Sequence, residues 1–123
     1  MRTTPSISLA FALSLAYGNS AGQGIWTEGT VDCGMWVTAR KQNSAQAFEG
    51  HLLGLLNGLA LGRRVDIWRA EGVPMSRDQA YLWMDNYCQS NPLSHVVSGA
   101  VMLADEKTNG TFSRYFDYLP AAR

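Results

Sequence analysis

Cys33 and Cys88 are the two cysteines of this 123-residue chain, and theirs is the chemistry its residues name most directly. No C-x-x-C spacing is present, so they read as one structural disulfide rather than a redox pair. The histidines are His51 and His95. They fall on different predicted helices, and with both cysteines committed a metal site lacks ligands. Ser94, His95 and Asp85 supply the residue types of an acyl-transfer triad, but no nucleophile-elbow motif accompanies them. Glu49 and Asp85 are carboxylates of the kind glycoside hydrolysis uses, and nothing in the sequence sets them across a cleft. The glycine-rich predicted helix 44–61 lacks the Lys-Ser/Thr ending of a phosphate loop. The expectation is a non-enzymatic protein with no catalytic residue, no metal and no cofactor.

Compartment follows from the first residues. Arg2 precedes an apolar stretch, Ile7 to Ala16, followed by small residues up to Ala21. That is the signal-peptide pattern, and the stretch is too short to span a bilayer. Residues 1–21 are therefore expected to be a signal peptide, cut after Ala21 with Gly18 as the second site, and 22–123 a single helical domain. Export places the two thiols in an oxidising compartment, where they pair. Loss of Arg2 leaves 9 basic against 10 acidic side chains. Such a balance has no electrostatic footprint for nucleic acid or an anionic membrane.

The elements that position these residues read as helices. Asp32 is an N-cap for a first helix whose face carries Cys33, Trp36, Val37 and Arg40. Residues 44–61 place Ala45, Phe48, Leu52, Leu55, Leu56 and Leu59 on one stripe, with Arg63 and Arg64 complementing the helix C-terminus. Ser76 to Gln79 fits a capping box. The helix it opens aligns Ala80, Trp83, Met84, Tyr87 and Cys88. Asn91-Pro92 reads as the start of the last helix, whose stripe is Leu93, Val96, Val97, Ala100, Val101 and Ala104. The segment 112–119 reads as a short fifth helix or an aromatic segment awaiting a partner. No alternating strand pattern appears. The fold class is all-α: a compact bundle of four main helices, with a possible short fifth, and one Cys33–Cys88 disulfide.

Three features lie outside this core pattern. Arg40 sits on an apolar face. It either lies along Trp36 with its head in water, the favoured reading, or pairs with Asp85. Gly50, Gly54 and Gly58 recur every four residues opposite the leucine stripe, each costing up to ~1 kcal/mol relative to Ala. They predict a flat groove that packs another part of the chain or, second, a partner. In the long 63–74 connection, Arg63, Arg64, Trp68 and Arg69 have the residue types of an interface hot spot, with Trp68 equally readable as a core plug.

The run Cys33-x-x-Trp36-x-x-x-Arg40, the Leu-Leu-Gly-Leu-Leu-Asn-Gly run at 52–58, and Tyr81 to Cys88 followed by Asn91-Pro92-Leu93 together resemble two groups of small exported bacterial proteins. One is the HdeA/HdeB periplasmic acid-stress chaperones. The other is the Rap/Tai immunity proteins, which protect the periplasm from type VI secretion amidases. The resemblance implies a helical periplasmic protein that binds another protein. Acid chaperones loosen as carboxylates protonate, and a chain only 16% charged has few to drive that. The expected function is thus an immunity or inhibitor-type protein that neutralises an envelope-acting enzyme or toxin. An HdeA-like chaperone of unfolded clients, or a structural accessory of an envelope or conjugation system, are the alternatives.

Overall fold

The computed structural model describes residues 28–120; the segment expected to be a signal peptide and its expected cleavage sites lie outside the described residues. Over 28–120 the fold is all-α. Its main helices are α1 (Cys33–Lys41), α2 (Gln46–Arg63), α3 (Arg77–Ser90) and α4 (Val96–Lys107). Single 3₁₀ segments follow α2 at Ala70–Gly72 and α4 at Ser113–Tyr118. Cys33 and Cys88 form a disulfide.

Local chemistry sets several boundaries as the sequence implies. The Asp32 carboxylate accepts the Met35 N–H at 2.7 Å and starts α1. Ser76 Oγ accepts the Gln79 N–H at 3.1 Å, and the Gln79 side chain accepts the Ser76 N–H at 2.8 Å, a complete capping box for α3. Arg64, in the left-handed region at φ 56°, turns the chain out of α2.

The start of α4 is a correction. Asn91-Pro92 does not open the helix; it begins at Val96, and Leu93, expected in the core stripe, is 65% exposed. The cause is tertiary. His95 adopts an extended conformation and forms a single antiparallel bridge with Asp32. Val96 N–H donates to the Val31 carbonyl and Cys33 N–H to the Ser94 carbonyl. These bonds satisfy backbone groups at two helix starts at once and outweigh the local helix-start signal of Asn-Pro.

Buried Trp36, Leu52, Leu56, Met84, Leu103 and Phe112 form the heart of the core. α4 lies at its centre, packed against α2, α3 and the 113–118 segment, while α1 packs on α3. Accordingly α4 is buried nearly all round and rich in small residues, among them Ser98, Gly99, Ala100 and Ala104. A Cβ on Gly99 would lie 2.7 Å from the Met84 thioether and the Tyr87 ring, so this glycine permits the close approach of α3.

Candidate functional site

The densest polar arrangement centres on Arg40. Its Nε and Nη2 donate to Asp85 Oδ1 and Oδ2 at 2.9 and 2.8 Å, and Nη1 donates to Glu49 Oε1 at 2.9 Å. Trp36 Nε1 donates to the same Asp85 Oδ1 at 2.8 Å. The guanidinium carbon lies 5.9 Å from the Trp36 ring centre and 5.8 Å from that of Tyr81. One cation therefore joins α1, α2 and α3. The favoured expectation, an Arg40 head in open water, is corrected to the bidentate pair with Asp85. Hydrogen bonding to Asp85 is the main cause that raises the Arg40 guanidinium above its already high ordinary range, against desolvation.

Helix geometry explains the meeting. The disulfide joins the start of α1 to the end of α3, so the two helices run antiparallel. Arg40, two turns beyond Cys33, leans back toward its own N-terminus, as helical side chains do, and meets Asp85 three residues before Cys88. The cysteine spacing carried that signal. Glu49, weighed from sequence only as a catalytic acid, and the roles of Trp36 and Tyr81 here were not legible from periodicity. A groove of about 430 Å³ between α1 and α3 borders the cluster, lined by Val37, Lys41, Leu82 and Asn86 among others.

The residues of an imagined triad do not come together. Asp85 is engaged by Arg40, Ser94 Oγ lies 2.6 Å from the Tyr87 hydroxyl, and buried His95 Nδ1 has no hydrogen-bond partner. Among the described residues no three His, Cys, Asp or Glu side chains cluster as metal ligands, and no helix is long and apolar enough to cross a membrane.

The 63–74 connection is more ordered than a free binding loop. Ile67 is fully buried. Trp68 is half-buried against the core and donates Nε1–H to Asn57 Oδ1 at 2.8 Å, which is the plug reading. Arg69 pairs with Asp66 at 3.0 Å across one exposed turn. The Arg69 backbone N–H, first among the causes, holds the Asp66 carboxyl below its ordinary 3.8. The Arg63 guanidinium lies 5.9 Å from the Tyr115 ring centre, and Arg64 is exposed.

The glycine groove is a further correction. Gly50, Gly54, Gly58 and Gly62 are exposed, and a Cβ on any of them would meet nothing within 4 Å. No described part of the chain packs there, because the leucine stripe on the opposite side takes the core contacts. The other exposed residues of α2 are Gln46, Ala47, Asn57 and Leu61, so this exposed face carries no charge. Solvent-facing helix surfaces ordinarily carry charged side chains.

Comparison with known protein families, curated proteins and solved structures finds no match.

Proposed function

We propose that the chain is an exported periplasmic protein-binding domain, non-enzymatic and of immunity or inhibitor type, which occupies a surface of an envelope-acting enzyme or toxin. The observation that carries this reading is the exposed, uncharged face of α2. A Cβ on any of the four glycines there would meet nothing within 4 Å among the described residues outside α2's own backbone, and they stand beside Leu61 at 80% exposure. Each glycine lowers helix stability relative to Ala and gains nothing within the fold. A flat, uncharged surface on a helix held by core packing suits close approach of another backbone.

The test is cross-linked capture from the envelope with the tagged chain and with Gly54→Leu and Gly58→Leu. A Cβ at either position meets nothing within 4 Å, and circular dichroism of each variant checks that the fold is kept. The expected result is a hydrolase or toxin retained by the wild type, inhibited on addition, and lost with the leucine variants. Equal recovery by all three proteins, or no retained partner, would sink the reading.

A second reading, the acid chaperone, has one observation in its favour. The Arg40 cluster joins three helices through ion pairs to two carboxylates, Asp85 and Glu49, and interactions of that kind are what acid weakens in general. Near-UV circular dichroism from pH 7 to pH 2 decides it: a tertiary signal retained at pH 2 eliminates the chaperone.

A further inference from the structure

We propose a second contact surface, resting on the protein-binding reading above: the end of α2 and the 113–118 segment take an acidic, apolar-flanked segment of the partner. The argument starts from Arg63. Among the described residues its Nε is buried without a hydrogen-bond partner, and its guanidinium makes no ion pair and rests on the Tyr115 ring. A half-buried cation that has lost water and gained no acceptor is costly. The α2 carbonyl ends and the aromatic face offset part of that cost.

The surroundings enlarge the site. Arg64 and Arg114 each lie one residue from the Arg63–Tyr115 contact, are exposed, and make no ion pair among the described residues. In a 3₁₀ segment residues three apart eclipse, so Tyr118 stands beside Tyr115. Tyr118 is 51% exposed and Phe116 38%. The acids nearby are few. Asp105 is engaged by the Phe112 N–H at 2.9 Å, Asp66 by Arg69, and Asp117 alone is exposed and uncommitted on the segment. Three unpaired guanidinium groups against one free carboxylate, interleaved with exposed aromatic rings, complement carboxylates spaced by apolar side chains. Asp117 favours a protein segment over a uniformly anionic lipid surface, since a protein can place its acids around it.

The experiment titrates the oxidised chain against a labelled peptide alternating Glu and Leu, its Lys–Leu counterpart, and phosphatidylglycerol vesicles. The expected result is saturable binding of the Glu–Leu peptide alone, weakened by salt. Affinity falls roughly tenfold in Arg64→Gln and further in Arg63→Gln with Arg64→Gln. Arg64 is exposed, so its single variant keeps the test readable if the double variant unfolds. No binding of the Glu–Leu peptide, equal binding of the Lys–Leu peptide, preference for vesicles, or unchanged affinity in Arg64→Gln would each overturn the proposal. If envelope capture still yields a partner lost only in the α2 glycine variants, the protein-binding reading survives while this surface falls.

Discussion

Asp85 carries the largest local burden, accepting three hydrogen bonds from two side chains of α1. Its truncation leaves the Trp36 indole and the Arg40 Nε and Nη2 donors without their acceptor in a part-buried site, with Glu49 still holding Nη1. Asp85→Ala is expected to cost about 2–4 kcal/mol, read as a lowered urea midpoint, because three part-buried donors losing their acceptor cost more than the bonds contribute. Loss below about 0.5 kcal/mol would mean that water replaces the carboxylate. Asp66 offers a pH test at the same scale. Its folded-state pKa is below 3.8, so its contribution is whole above that value and lost as pH falls through the lower folded one. The Arg69 amide proton should therefore titrate with a midpoint below 3.8 in NMR spectra. A midpoint at or above the ordinary value would show that the turn is open in solution.

At the scale of elements, the glycines divide by what stands beside them. Gly54→Ala enters open space on α2 and should raise stability by up to about 1 kcal/mol through helix propensity alone. Gly99→Ala drives a methyl into Met84 and Tyr87 on α3, and should lower stability by about 1–3 kcal/mol despite the same propensity gain. Thermal unfolding of the two variants should move in opposite directions, and a shared direction would refute the assignment of α4 as the closely packed helix. Sequence periodicity could not make this distinction. The four-residue recurrence on α2 advertises close packing, whereas Gly99 stands alone among Ser98, Ala100 and Val101. Only the neighbouring helix reveals which glycine is needed.

For the whole molecule, the disulfide closes a loop with a separation of 55 residues and pins α1 to α3. Reduction should lower stability by about 4 kcal/mol, through the freedom returned to the unfolded chain. Denaturant curves of the oxidised and reduced protein would check this, and coincident midpoints would contradict it. The sequence by itself determined the helical class, the Asp32 and Ser76–Gln79 starts, the leucine stripe of α2 and the pairing of the cysteines. Each rests on spacing within one segment or on compartment chemistry, which is written locally. Tertiary structure alone decided that α4 rather than α2 is central, that the chain from 91 to 95 turns into an extended His95 instead of opening the helix, that Arg40 meets both Asp85 and Glu49, and that the glycine face stays open. Those outcomes depend on which helices become neighbours, and a helix's own periodicity shows that a face is apolar or flat without showing what will lie against it.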